Sequence, residues 1–319
     1  MSERMKILIG YDGSDCAEAA LDDLKRAGLP PNAEACILSV AEVWLPPPPP
    51  SSYEIVEQAR EVKVPADLKR VYAKGCAAAN EALTSAERAR ERVKTSFPQW
   101  EVSADSACGS PAWELVFKAD QWKPDLVVAG SHGRTALGRF VLGSVSQRVL
   151  TEARCSVRIA RGRVEEPDSP VRIIVGIDGS PGSEAAVLAV AERNWTPNSE
   201  VRLIVVDDPL VPSIVGNIIP PLAETIEESN VEDRALAEKM LTQSAAIFSG
   251  TDIKLTTEIK QGDPKKKLPQ AAEEWGADCI FVGSAGFSNR LERFVLGSVS
   301  AAVAARAHCS VEVVRKRSN

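Results

Sequence analysis

The sequence predicts an α/β protein built from two copies of one domain, each a parallel sheet of five strands with helices on both faces. Three observations carry that expectation. Residues 128–149, VAGSHGRTALGRFVLGSVSQRV, recur as residues 282–303, VGSAGFSNRLERFVLGSVSAAV. Short apolar runs alternate with stretches of helical spacing, which implies parallel strands joined by crossover helices. At 319 residues the chain is long enough for each copy to bury its own core.

Matched positions set the register of the repeat. Asp12 corresponds to Asp178 at an offset of 166, Gly109 to Gly262 and Gly130 to Gly283 at 153, and Gly143 to Gly297 at 154. The fall from 166 to 153 places thirteen extra residues between the second and third strands of the first copy. The step from 153 to 154 places one extra residue inside the glycine loop of the second.

In the first copy, residues 6–12 read as strand one. Residues 14–27 read as a helix, with Ala17, Ala20, Leu21 and Leu24 at helical spacing and Ser14 as its N-cap. Residues 35–40 are strand two. Residues 57–94, rich in Ala, Glu, Lys and Arg, read as mostly helix, although Pro65 and Gly75 disturb its start. Residues 102–108 are strand three, 112–121 a helix opened by Pro111, 126–131 strand four, 144–153 a helix and 156–161 strand five. The second copy places its strands at 172–178, 200–206, 252–260, 279–284 and 310–314. The polar, proline-containing stretch 161–170 separates the copies, so domains are expected at 1–162 and 171–319 with a linker at 163–170. Pro46–Pro50 falls inside the first domain and reads as a stiff loop of polyproline character, with an SH3-type ligand as the alternative.

Composition narrows the function. A net charge of −6 argues against nucleic acid or an anionic membrane as partner. The apolar run near the N-terminus is too short for a signal peptide, and no run approaches the ~20 residues that cross a bilayer. Seven scattered cysteines without a CxxC pair fit a reducing cytoplasm and no disulfide framework or zinc site. Two histidines exclude a histidine-rich metal site.

The loop Gly130, Gly133, Gly143-Ser144 has the form G-x2-G-x9-G-S. Gly130 ends a strand, where sheets of this class bind ligands. Gly133 lets backbone approach a phosphate. Gly143, Ser144, Val145 and Ser146 open a helix whose free N–H groups and dipole favour an anion. His132 and Arg134 flank the turn and can supply hydrogen bonds or positive charge. The competing reading is that the glycines only shape turns. Asp12 and Asp178 end the first strands, where a carboxylate suits ribose hydroxyls or serves a helix start. Lys265–Lys267 read as a solvated face, and the matched Cys155 and Cys309 as buried filler rather than redox sensors. Arg139 and Arg293 also match. No GxxxxGK[ST] or GxSxG motif occurs, and no general base is evident.

Together the opening Asp12-Gly-Ser, the G-x2-G-x9-G-S loop and the segments LGSVSQRVL and LGSVSAAVA resemble a tandem universal stress protein over nearly the whole chain. The resemblance implies Rossmann-like domains of strand order 3-2-1-4-5, pairing through their fifth strands as an intramolecular pair, with a homodimer as a further option. It implies ATP as ligand, with Mg as an optional companion. Asp12 would face ribose and adenine, and the backbone of Val40 would recognise adenine. Gly130, His132 and Gly133 would line sugar and phosphates; Gly143, Ser144, Val145 and Ser146 would bind phosphates. The second-copy counterparts are Asp178, Val206, Gly283, Gly286, Gly297, Ser298 and Ser300. That copy departs from the pattern: ten residues, not nine, precede Gly297, and Ala285 and Phe287 replace the histidine and arginine. One residue can move a binding element by up to ~3.5 Å unless a bulge absorbs it. Three functions follow as expectations: a cytoplasmic, ATP-dependent stress-response regulator or adaptor, a slow ATP hydrolase, or a nucleotide-independent interaction module.

Overall fold

The computed structural model describes residues 4–43, 66–132, 142–161, 169–207, 220–284 and 296–316, with backbone alone for 66–72 and 220–229. Each half forms five strands. They are β1 (Met5–Gly10), β2 (Ala33–Ala41), β3 (Glu101–Cys108), β4 (Leu126–Gly130) and β5 (Ser156–Ala160), then β6 (Arg172–Ile177), β7 (Glu200–Asp207), β8 (Lys254–Gln261), β9 (Cys279–Gly283) and β10 (Ser310–Val314). The helices are α1 (Asp15–Asp23), α2 (Ala66–Ser96), α3 (Pro111–Trp122), α4 (Ser144–Glu152), α5 (Pro181–Ala191), α6 (Pro220–Ala246), α7 (Pro264–Trp275) and α8 (Ser298–Arg306).

The strand order is 3-2-1-4-5 in both halves. β5 and β10 pair antiparallel, which fuses the halves into one ten-stranded sheet, β3-β2-β1-β4-β5-β10-β9-β6-β7-β8. All the other neighbours are parallel. The expected fold class and internal pair are both present. Alternate strand residues feed opposite cores, as a pleated strand requires. On one face a single core runs through both halves, joining Val157 and Ile159 of β5 to Val311 and Val313 of β10 beneath α3, α4, α7 and α8. On the other face the cores are separate, one under α1 and α2 and one under α5 and α6.

Several boundaries differ from the sequence expectation for identifiable reasons. β1 stops at Gly10 because its pairing with β2 ends at Gly10↔Leu38. The helix expected over 14–27 is α1 followed by a 3-10 turn, Leu24–Arg26, and the chain reverses at Gly28 with φ of 62°. Pro269 sits inside α7, where it removes the bond to the carbonyl of Lys265. Arg306 donates to that oxygen at 3.3 Å instead. The Pro46–Pro50 loop, residues 57–65 of the long helix and residues 163–168 of the linker lie outside the described residues. Among the described residues, no helix is long and apolar enough to cross a membrane.

Candidate nucleotide site

β1 lies between β2 and β4, so the crossovers diverge beyond the carboxyl ends of β1 and β4. Sheets of this kind bind ligands in the crevice so formed. A cavity of about 1210 Å³ occupies it, lined by Asp12, Val40, Gly130, His132, Gly143, Ser144, Val145 and Ser146. These are all the expected first-half site residues that the structure describes; Gly133 and Arg134 lie outside, as do Arg139 and Arg293. Glu81, Ser85, Arg88 and Arg92 of α2 form a further wall that the sequence reading did not assign. Their spacing of four, three and four residues marks one helix face, which was the available signal. Arg92 is held by Glu18 and by Asp22, the latter at 2.7 Å.

The turn after β1 is built by its own side chains. Asp12 Oδ1 accepts the Ser14 N–H at 2.9 Å, and Ser14 caps α1 by accepting the Ala17 N–H at 3.2 Å. Gly13 between them has φ of 73°, a conformation that suits glycine. The second half repeats each bond: Asp178 Oδ1 to Ser180 N–H at 2.9 Å, and Ser180 Oγ to Ser183 N–H at 3.2 Å. The helix-start reading of these aspartates is therefore realised one step removed, with serine as the cap.

Gly130 has a packing role. A Cβ there would lie 2.8 Å from the Cys16 carbonyl oxygen of α1. The Ser146 hydroxyl donates to the Gly130 carbonyl at 2.6 Å, tying α4 to the end of β4. The Gly143 N–H donates to Ser131 O at 2.8 Å, and the first bond within α4 is Gln147 N–H to Gly143 O at 2.8 Å. The amides of Ser144, Val145 and Ser146 therefore precede the helix's own hydrogen-bond ladder. Gly143 offers no side chain to cap them, whereas serines cap α1 and α5. N–H groups at a helix start that have no side-chain cap among the described residues and border a cavity are an anion site in the making.

His132 Nδ1 lies 3.0 Å from the Ser131 hydroxyl, and its buried Nε2 has no partner among the described residues. Burial, and then the charge of Arg161, lower its pKa below the ordinary histidine value. The folded chain thus resists a proton that the unfolded chain accepts. Stability is complete above the ordinary value of ~6.5 and declines as pH falls through it. Urea midpoints measured from about pH 7.5 to about pH 5.5 should fall, and His132→Gln should flatten part of that fall. An unchanged pH profile in the variant would contradict this origin. Burial also pushes the Cys155 thiol up to about 11, which leaves it protonated filler.

In the second half, Ser300 Oγ donates to Gly283 O at 2.5 Å and the Gly297 N–H to Ser284 O at 2.5 Å. Ser298 begins α8, again without a side-chain cap. Gly286, Ala285 and Phe287 lie outside the described residues, but the anchors on both sides of the longer loop keep the first-half bonds. The extra residue does not displace the helix start from the strand end. Val206 occupies the place of Val40, since glycine amides bond to the following carbonyls, Gly109 to Ala41 at 3.0 Å and Gly262 to Asp207 at 2.7 Å. The surroundings have changed: Asp207 stands where the first half has Ala41. Met240 lies over Gly179, whereas Arg92 shares the first cavity with Gly13. Among the described residues no group of three or more His, Cys, Asp or Glu is placed to hold a metal ion.

A doubly wound sheet with an uncapped helix start at its switch point, present twice, defines a duplicated Rossmann-like α/β protein. The chain belongs to the universal stress protein family, whose sequence model matches residues 3–161 and 171–315. A universal stress protein of Mycolicibacterium smegmatis is 36% identical over 197 residues, spanning 60% of this chain and 62% of that relative. One of Mycobacterium tuberculosis is 26% identical over 319 residues, 97% of each chain. The crystal structure of a universal stress protein from Archaeoglobus fulgidus covers 98% of this chain and 96% of its own, with a TM-score of 0.57 at 19% identity, a likeness of fold.

Proposed function

We propose that the chain is a cytoplasmic ATP-binding regulator or adaptor of the stress response, with the nucleotide in its first half. The observation that carries this reading is the uncapped start of α4 in the wall of the cavity. In it, the amides of Ser144, Val145 and Ser146 take phosphate, assisted by Gly143, His132, Gly133 and Arg134. Asp12 faces the ribose. Val40 lies past the last residue that β1 pairs, Leu38, and presents its backbone edge to adenine. The Ser146 hydroxyl is engaged with Gly130, so its contribution is its amide. The domains divide at 163–170. The second half, with Asp178, Val206, Gly283, Gly286, Gly297, Ser298 and Ser300, binds nucleotide more weakly, because a carboxylate, Asp207, stands where the first half has Ala41. Mg, where present, accompanies the phosphates.

Ser144→Pro tests the reading without disturbing the helix. Proline is welcome at the first helical position, and the change removes the Ser144 N–H together with its hydroxyl. A hydrogen bond to a charged group contributes about 1.5–3 kcal/mol, so ATP affinity measured by calorimetry should fall about tenfold or more while the melting temperature holds. Absence of any nucleotide released on denaturing the purified protein, together with no heat on adding ATP, would overturn the proposal.

A further inference from the structure

The two fifth strands meet almost as equals. Cys155 and Cys309, Ser156 and Ser310, Val157 and Val311, and Arg161 and Arg315 match at the offset of 154. Their contacts are reciprocal. Arg161 donates its amide to Ser310 Oγ at 2.9 Å and a guanidinium N–H to Ala304 O at 2.6 Å. Arg315 donates its amide to Ser156 Oγ at 3.1 Å and a guanidinium N–H to Leu150 O at 2.5 Å. Each arginine thus grips the last helix of the opposite half.

The likeness breaks in the middle of the seam. Arg158 and Glu312 match at the same offset and stand directly opposite each other in the β5–β10 ladder. Each is 1% exposed, and Arg158 Nη1 lies 3.4 Å from Glu312 Oε2. A second ion pair crosses the seam with the same polarity, Arg26 to Asp278 at 2.9 Å. Both cations come from the first half and both anions from the second. The counterpart of Arg26 at the offset of 166 is Glu192. Two first halves paired in this way would oppose Arg158 to Arg158, while Arg26 would still meet a carboxylate, Asp125, the counterpart of Asp278; rejection there rests on Arg158. Two second halves would oppose Glu312 to Glu312 and bring Glu192 towards Asp278. Asp23 and Arg193 lie in the same halves as Arg158 and Glu312 and stay with them in any pairing, so what separates the pairings is the like charge placed face to face, a means of rejecting a wrong partner.

We propose that the β5–β10 seam is a pairing code: each fifth-strand edge accepts the unlike half and rejects a copy of itself. The partner that fits either edge is the opposite half, of the same chain or of another, and self-association of like halves through these strands is excluded. The code is independent of any ligand.

Two full-length variants test it. Glu312→Arg places arginine at both positions of one chain, and Arg158→Glu places glutamate at both. Each variant alone should stay monomeric by light scattering, expand in small-angle scattering, and exchange its β5 and β10 amides at least tenfold faster than the parent. Mixed in equal amounts, they should form a one-to-one complex, joined by the unaltered Arg158 edge of one and the unaltered Glu312 edge of the other. That complex should exceed either self-complex at least tenfold. A reversed chain that keeps the parent's compactness, self-associates as readily as the mixture forms, or stays separate on mixing overturns the proposal. Glu312→Gln removes the charge without adding a like one and decides the matter if a reversed chain fails to fold. It should remain compact; opening as far as Glu312→Arg or its unfolded products would show that the sign of the charge is not what governs pairing.

Discussion

Asp23→Ala should lower the unfolding free energy by about 3–5 kcal/mol, the cost of leaving a buried charge without its principal partner. Asp23 closes α1 over the seam and is 7% exposed. Its carboxylate accepts Arg158 Nε at 2.6 Å and Nη2 at 3.1 Å, and the Ser310 hydroxyl of the other half at 2.6 Å. Burial works against the charged guanidinium, yet Asp23 holds the Arg158 pKa above its ordinary value. Without Asp23, Arg158 keeps Glu312 alone, which also serves Arg193 at 2.5 Å. Denaturant unfolding measures the loss. Asp23→Asn, which retains an acceptor for Ser310, should recover only part of it. A loss below about 1 kcal/mol would place Asp23 among ordinary surface ion pairs and would contradict the structure's account of the seam.

The seam shows what the sequence could and could not convey. Strand order and the pairing of the fifth strands were legible through the resemblance to universal stress proteins, which the repeat, with its 166, 153 and 154 offsets, extends to both halves. The cavity was legible because its glycines, Asp12 and the LGSVS helix start are local in sequence. The ion network was not, because Arg158 meets Asp23 and Glu312 across 135 and 154 residues. Its trace is a single charge inside each otherwise apolar fifth strand, SVRIA and SVEVV, opposite in sign. The wall from α2 was missed for a similar reason. Polar residues at helical spacing look like a solvated face until the tertiary fold packs α2 on β2 and β3 and turns that face to the cavity. Gly130 stood out as a strand end beside a loop, and spacing alone cannot reveal that α1 leaves no room for a Cβ.

That last point leads to the largest expected backbone effect. Gly283→Ala should destabilise the second half by about 3 kcal/mol or more, at the upper end of overpacking costs. A Cβ on Gly283 would lie 2.3 Å from the carbonyl carbon of Gly182 and 2.6 Å from the Ser183 nitrogen. Both are backbone atoms, so no side chain can turn aside. The first half holds the same pair of positions, Gly130 against Cys16, at 2.8 Å, and Gly130→Ala should cost less, about 1–3 kcal/mol. The ordering follows from Gly182, whose missing side chain lets α5 settle closer to β9 than Cys16 lets α1 settle against β4. To admit the methyl group, α5 must lift from the sheet, taking with it Ala186, Val187 and Val190 of the second-half core. Hydrogen exchange should therefore rise in α5 and β9 first, while α1 and β4 keep their protection. If ATP occupies the first half, its affinity should survive Gly283→Ala and fall in Gly130→Ala, because only the latter moves the strand end to which Ser146 ties α4. Equal losses of stability in the two variants would mean that α5 yields more readily than its backbone contacts imply.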